Sequence, residues 1–289
     1  MKKILILFIT FITIKVNAQE GEVIISTEKL TDNIYVLKGR GGNIGVFVGE
    51  NEVFMIDDQF APLTQKILSA IKQITPKPVT YLVNTHWHGD HTGGNLNMQK
   101  EGATIISHKN VRKRMSTNQF ILGRDVPASP KEALPILTFS EDMQLYLNGE
   151  EIMVTHIHNA HTDGDALVYF INSNVLHVGD AYFQGKFPFI DINSGGSIDG
   201  YIKGIEKMLI LADNDTKIIP GHGNVTNKKE LKEYLKMLLD VKEIILNEKR
   251  KGVSLEEIKK DEKLIQKYKS FNGWITEDKI KEAVYKSLK

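Results

Sequence analysis

The sequence predicts an α/β fold in which two mixed β-sheets pack together and helices lie outside them. Short runs rich in Val, Ile and Phe, separated by Gly, Asn and Asp, occur in both halves of the chain and are typical of β-strands. Each half also runs from strands to a helix and then to another strand. Two packed sheets with outer helices accommodate that order.

In the first half, a 3.6-residue spacing of Leu and Ile over Pro62–Ile74 predicts an amphipathic helix. Pro76 and Pro78 end this helix, since proline cannot continue it. The compact apolar run Val79–Asn84 then predicts a strand. Four earlier strands, joined as hairpins, are predicted at Glu22–Ser26, Ile34–Lys38, Gly45–Gly49 and Glu52–Ile56.

The second half predicts a helix over Asp199–Leu211 and a short strand over Lys217–Pro220. From Lys228 the chain is helical in pattern and rich in Lys and Glu, with breaks near Gly252 and Asn272. We expect a domain over 19–227 and, over 228–289, an extension of two or three solvated surface helices packed on it. The remaining strands are predicted at Met143–Leu147, Glu151–His156, Ala166–Ile171 and Val175–Val178.

The first eighteen residues have the order of a secretory signal peptide. Met1–Lys3 is basic, Ile4–Ile14 is almost wholly apolar, and the segment ends in small residues at Ala18. This apolar run is shorter than the roughly 20 residues that a spanning helix needs. We expect cleavage after Ala18, export to the periplasm or the medium, and no stable membrane insertion afterwards.

Charge and cysteine content exclude several classes of protein. The chain has 37 Lys and Arg against 36 Asp and Glu, so it lacks the basic excess typical of nucleic-acid binding. It contains no cysteine. A disulfide framework, a cysteine nucleophile and thiolate metal ligands are therefore excluded. We expect a small-molecule substrate and no nucleic-acid partner.

The segment Thr85–Asn95 reads THWHGDHTGGN and concentrates potential metal ligands. If the chain stays extended there, alternation points His86 and His88 to the same side. Gly89 permits a sharp turn, after which Asp90 and His91 face a neighbouring point. One short loop at a strand end could therefore supply two ligands to each of two metals.

The second half offers further ligands in similar positions. His161 lies in NAHTDGD, Asp180 lies in VGDA directly after an apolar strand, and His222 lies in PGHG after another. Each is flanked by Gly or small residues. A sheet would deliver all three to one edge, where they complete the site.

This order of ligands resembles that of the metallo-β-lactamase superfamily over roughly residues 30–225. The resemblance implies a four-layer αβ/βα sandwich, a site at the sheet edges and two zinc ions per chain. Imidazole and carboxylate are good zinc ligands, and three protein ligands plus water leave positions for substrate. By this resemblance one zinc is bound by His86, His88 and His161, the second by Asp90, His91 and His222, with Asp180 bridging both.

The resemblance implies a zinc-dependent hydrolase whose metal-bound hydroxide attacks the carbonyl of a small ester, lactone, thioester or β-lactam. Asp90 is expected to act in catalysis as well, by orienting the hydroxide or shuttling a proton. Asp180 stands where some β-lactamase subclasses have Cys, and His88 where flavo-diiron enzymes usually have Glu. The alternatives are a β-lactamase proper, an iron- or manganese-loaded oxidoreductase and a silent metal-retaining binding protein.

Substrate contacts are expected from Tyr182–Ser197, which follows Asp180 and is rich in aromatic residues and glycine. Here Lys186 would anchor a carboxylate, and Phe187 and Phe189 would make apolar contacts. Phe60 would line the opposite rim. The alternative is that these residues pack in the core or, for Lys186, lie in solvent.

The other features of the sequence predict less. Asn118–Leu134 is weakly patterned and could form a lid over the site. His158 is expected to support the site at most indirectly, and His108 and His177 are expected to be structural.

Overall fold

A computed structural model of the protein describes residues 22–288, so the predicted signal peptide lies outside the described residues. No helix within 22–288 is long and apolar enough to cross a membrane. The strands are β1 (Ser26–Lys29), β2 (Ile34–Lys38), β3 (Ile44–Val48), β4 (Val53–Ile56), β5 (Val79–Asn84), β6 (Thr104–His108), β7 (Gln119–Ile121), β8 (Arg124–Val126), β9 (Leu137–Phe139), β10 (Asp142–Leu147), β11 (Glu150–His156), β12 (Ala166–Phe170), β13 (Val175–His177) and β14 (Lys217–Ile219). The α-helices are α1 (Thr64–Ile74), α2 (Gly89–Thr92), α3 (Asn95–Lys100), α4 (Lys109–Met115), α5 (Ile198–Leu211), α6 (Lys228–Arg250), α7 (Leu255–Lys260) and α8 (Glu277–Ser287).

Two mixed sheets form the centre of the molecule. The first has the order β1-β2-β3-β4-β5-β6-β9, antiparallel from β1 to β4 and parallel from β4 to β9. The second has the order β10-β11-β12-β13-β14, and only its β13–β14 pair is parallel. The parallel strands of both sheets end at the edge where the polar motifs follow them.

The core consists of three apolar layers, because side chains alternate between the two faces of each strand. Phe47 and Phe170, one from each sheet, stack between the sheets with ring centroids 5.7 Å apart. Val46 points to the other face, where α1 packs on the first sheet. The outer face of the second sheet is covered by α5, α6, α7 and α8. This confirms the predicted sandwich of two mixed sheets flanked by helices.

The predicted first strand is displaced. We expected Glu22–Ser26, but β1 covers Ser26–Lys29, and all four of its residues are exposed. It is an edge strand that pairs only with β2, so its position depends on backbone pairing and not on buried apolar side chains.

The helices after Lys228 are less solvated than the sequence indicates. The long helix α6 buries Leu231, Tyr234, Leu238 and Val241 against the second sheet's outer layer. Helix α8 buries Ile280 and Val284 in the same cluster. The extension therefore packs on the second sheet and forms one wall of the core.

Candidate metal centre

The segment between β5 and α2 places the first group of polar side chains. β5 ends at Asn84, the chain bends over 85–87, and His88 has extended backbone angles (φ −65°, ψ 147°) before α2 begins at Gly89. His86 and His88 lie side by side, with ring centroids 4.8 Å apart. The turn into α2 then brings His91 back towards His86, at 4.1 Å between ring centroids.

The second sheet supplies the remaining side chains from three strand ends. His161 lies in the turn after β11, where the Asp165 carboxylate accepts a hydrogen bond from its backbone N–H (2.7 Å). Asp180 follows β13 and His222 follows β14. A Cβ atom at Gly221 would lie 2.0 Å from Asp180 Oδ1, so this position requires glycine.

The seven predicted ligands converge into two neighbouring groups. One holds His86, His88, His161 and Asp180, and the other Asp90, His91 and His222; within each, the donor atoms lie within 4.8 Å of one another. Asp180 faces both groups. Its Oδ2 is 3.6 Å from His161 Nε2, and its Oδ1 is 3.4 Å from His222 Nε2.

The donor set fits metal ions. His86 Nε2, His91 Nε2 and Asp180 Oδ1 are buried and make no hydrogen bond within residues 22–288. Buried polar atoms without partners are costly in a folded protein, unless they serve another purpose such as ion binding. Clustered imidazole nitrogens and carboxylate oxygens with open valences are what zinc and similar transition metals bind.

The charges of the cluster also favour a cation. Burial acts to raise the pKa of Asp90, but His91 and His222 outweigh it and bring this pKa to about 2. Burial likewise opposes ionisation of Asp180, and His91 and His222 hold its pKa well below the usual range. Burial lowers the pKa of His161 to about 4, which keeps this ring neutral. Ionised carboxylates and neutral imidazoles are the forms that bind metals.

The nearby carboxylates raise the pKa of two of the histidines. Burial acts to lower the pKa of His222, but Asp180 and Asp90 outweigh this effect and raise the pKa to about 9. Asp180 and Asp90 also raise the pKa of His91 well above its usual value. The same carboxylates would stabilise a bound cation, which competes with these protons.

A second layer of side chains orients the histidine rings, and sequence reasoning missed it. Asp57 Oδ2 accepts a hydrogen bond from His91 Nδ1 (2.7 Å), and Asp191 Oδ2 lies 3.1 Å from His88 Nε2. The backbone oxygen of Phe189 accepts from His161 Nδ1 (2.6 Å). Such contacts select the ring nitrogen that faces the metal. Asp57 stands at the end of β4, and this strand-end position was the available signal.

A cavity of about 630 Å³ opens beside these groups and includes Asp90, Asp180 and His222 in its lining. The predicted substrate contacts Phe60, Lys186, Phe187 and Phe189 all line it. Two of them already have partners within the protein. Phe187 is only 1% exposed and belongs to the core, and Lys186 Nζ donates a hydrogen bond to the backbone oxygen of Asn272 (2.9 Å). Phe189 packs on His88, with ring centroids 5.8 Å apart.

Two further segments complete the cavity, and one of them lies in the stretch Asn118–Leu134 for which the sequence indicated a lid. The hairpin β7–β8, within the weakly patterned stretch Asn118–Leu134, contributes Ile121, Leu122 and Val126. The extension contributes Trp274 and Ile275. The extension therefore takes part in forming the cavity as well as the core.

The other histidines do not belong to the two ligand groups. His177 is buried and its Nε2 lies 3.1 Å from the backbone oxygen of Asn43. His108 and His156 stack on each other at 3.8 Å between ring centroids. His158 is exposed and pairs with Glu141 (3.0 Å).

The two-sheet sandwich with a histidine and aspartate cluster at its edge defines the class of αββα metalloproteins. A sequence model of the metallo-beta-lactamase superfamily matches residues 37–222, and the chain belongs to this superfamily. Membership supports metal-dependent hydrolysis as the general activity and agrees with the ligand groups.

Individual relatives are distant. A metallo-beta-lactamase type 2 of Bacteroides fragilis is 21% identical over 253 residues, which are 83% of this chain and 96% of the relative. A metallo-beta-lactamase structure from Pontibacter korlensis has a TM-score of 0.63 at 18% identity, covering 75% of this chain and 99% of its own. The sec-alkylsulfatase Pisa1 from a Pseudomonas species has a TM-score of 0.67 at 16% identity, covering 91% and 50% respectively. These structural similarities concern the fold.

Proposed function

We propose that the protein is a hydrolase that binds two zinc ions and cleaves a small ester, lactone, thioester or β-lactam. The position of Asp180 carries this proposal, because its two carboxylate oxygens face two separate groups of ligands. A carboxylate shared in this way would suit a two-metal hydrolytic site.

The side chains divide the work as follows. Two zinc ions bound here would supply an activated water and an electrophile for the carbonyl oxygen. The two ligand groups would hold those ions beside the cavity. Asp57 and Asp191 hold the His91 and His88 rings in the orientation that ligation needs. In the overall reaction the water oxygen joins the acyl carbon, the bond from that carbon to the leaving O, N or S atom breaks, and the leaving atom takes one proton of the water.

Asp90 is the residue we assign to proton handling. Its side chain is 28% exposed, more than that of Asp180, and it lines the cavity. Its Oδ2 lies 3.2 Å from His222 Nε2. An ionised carboxylate there can orient a water molecule and accept its proton at Oδ2, to pass it to the leaving group.

A β-lactamase proper is the second candidate, favoured by the name of the Bacteroides fragilis relative. One panel of nitrocefin, homoserine lactones, acyl thioesters and aryl esters separates these substrate classes. Zinc and iron are measured by elemental analysis in the same sample. Two zinc ions per chain with turnover of one class supports the proposal. Stoichiometric iron with no hydrolysis would support an oxidoreductase and overturn the proposed hydrolysis. Zinc-loaded protein that hydrolyses none of these substrates would also overturn the proposed hydrolysis.

We further propose export, on the pattern of residues 1–18. Expression in a Gram-negative host should yield a periplasmic or secreted protein whose N-terminal residue is Gln19. A cytoplasmic protein that retains Met1 would contradict this.

A further inference from the structure

The cavity beside the ligand groups has a wall that lies outside the residues matched by the sequence model of the superfamily. Trp274 and Ile275 line this cavity, whereas the family match ends at residue 222. The Trp274 ring contacts the Phe189 ring at 5.1 Å between centroids, and Phe189 in turn contacts His88 and His161. A continuous aromatic surface therefore runs from the ligands out to Trp274.

Specific bonds hold this wall against the catalytic edge. The backbone N–H of Phe187 donates to the oxygen of Phe271 (2.8 Å), and Lys186 Nζ donates to the oxygen of Asn272 (2.9 Å). A Cβ at Gly273 would lie 2.9 Å from Lys186 Cδ, so this glycine permits the close approach. The loop after Asp180 and the 271–275 segment thus form one unit.

Trp274 is held in place but left uncovered. Lys279 Nζ donates to its backbone oxygen (3.2 Å) and lies 5.4 Å from the centroid of its ring. The residue is nevertheless 56% exposed. Leu122 of the β7–β8 hairpin, which lines the same cavity, is 47% exposed. Exposed apolar side chains that gather at one cavity mark a surface for an apolar ligand.

We propose that Trp274 is a specificity-determining residue that binds a large apolar acyl group of the substrate. The structure assigns this group to the surface formed by Trp274, Phe189 and Leu122, with the carbonyl placed at Asp90 and Asp180. The preferred substrates are therefore carbonyl compounds with a long alkyl or aryl acyl part, in preference to small polar ones. The placement of the substrate carbonyl rests on the proposed hydrolysis. The placement of the apolar acyl group rests on the residues that line the cavity.

Acyl thioesters with one leaving group test chain length directly. The zinc-loaded protein is assayed with acetyl and octanoyl thioesters of N-acetylcysteamine, and released thiol is measured with a thiol reagent. The chain has no cysteine, so the protein contributes no background. We expect a much higher kcat/KM for the octanoyl substrate. Trp274→Ala should lower that value by roughly 10-fold or more and change the acetyl value by less than about 3-fold.

Two further variants serve as controls. Trp274→Phe should retain most of the octanoyl preference, because it keeps an aromatic surface. Tyr146→Ala removes an aromatic side chain that is 70% exposed on β10, away from the cavity, and should change neither value. Lactones with short and long acyl parts are compared in the same way if thioesters are not turned over.

Binding is measured independently of turnover. The chain has two tryptophans, Trp87 and Trp274, and both line the cavity. Octanoate binding should therefore change the intrinsic fluorescence of the wild type. Trp274→Ala should weaken octanoate binding by about 10-fold and leave the affinity for acetate unchanged. In Trp274→Phe the signal comes from Trp87 alone.

The outcomes separate this inference from the proposed function. Turnover with equal kcat/KM for both chain lengths would overturn the assignment and leave hydrolysis intact. So would an equal loss for both substrates in Trp274→Ala. Absence of all hydrolysis, together with octanoate binding that depends on Trp274, would refute the proposed reaction and support the apolar site.

Discussion

Replacement of Asp57 by Asn tests whether the second layer controls metal binding. Asp57 is fully buried, and its carboxylate accepts hydrogen bonds from the Thr85 N–H (2.8 Å), the Thr85 hydroxyl (2.7 Å) and His91 Nδ1 (2.7 Å). Its φ is +60°, a region that Asn tolerates about as well as Asp. The change therefore removes one charge and one acceptor without straining the backbone.

The consequence for His91 follows from hydrogen-bond polarity. An Asn NH₂ group facing Nδ1 requires that nitrogen to accept, so the ring proton moves to Nε2, the atom that would bind the second metal. Loss of such an orienting partner typically costs about 10- to 100-fold in metal affinity. That range equals about 1.4 to 2.7 kcal/mol.

Zinc affinity is measured by competition with a chromophoric chelator. The wild type should bind two ions, and Asp57→Asn should bind one as before and the second about 10- to 100-fold more weakly. Asp32→Asn, a change at a fully exposed surface aspartate, is the matched control and should behave as the wild type. Equal affinity at both sites in Asp57→Asn, with unchanged turnover, would refute the reasoning.

Three other predictions follow from the structure. Asp90→Asn should lower kcat by about 10²- to 10⁴-fold while zinc content stays measurable; full rate at full metal content would remove its proton-handling role. Addition of zinc at 100 times its Kd to chelated protein should stabilise the fold by about 2.7 kcal/mol for each of the two sites, seen as a rise in Tm that Asp180→Asn lacks; equal rises would contradict the role of Asp180. Burial lowers the pKa of His156 to about 4, below the value of about 6.5 in the unfolded chain, so the folded state binds fewer protons and loses stability as pH falls from about 6.5 to 4. His156→Gln should lose less stability over that window in urea unfolding, and an unchanged pH dependence would count against this account.

Local patterns predicted the framework well. The strand Val79–Asn84 and the helix ending at Ile74 agree with the structure. They could be predicted because the spacing of Val, Ile and Leu along each segment indicates which of its residues are buried. β6, β9 and the β7–β8 hairpin were not predicted. Their segments are short or partly exposed, and their pairing depends on neighbours elsewhere in the chain.

The ligand residues were predictable for a different reason. His86, His88, Asp90 and His91 lie within six consecutive residues, so their spacing by itself limits how they can point. His161, Asp180 and His222 could be proposed because each follows an apolar strand or lies in a glycine-rich turn. Each of these ligand positions could be predicted from the local sequence, without knowledge of any tertiary contact.

The sequence by itself determined the fold class, the superfamily and the residues of the candidate metal centre. Only the tertiary structure decided which side chains orient the ligands and which part of the extension reaches the cavity. Asp57 lies 34 positions from His91, Asp191 lies 103 positions from His88, and Trp274 lies 85 positions from Phe189. Contacts at such separations are set by how the two sheets and the helical extension pack. No local spacing encodes them, because packing brings these side chains together only after each element has formed.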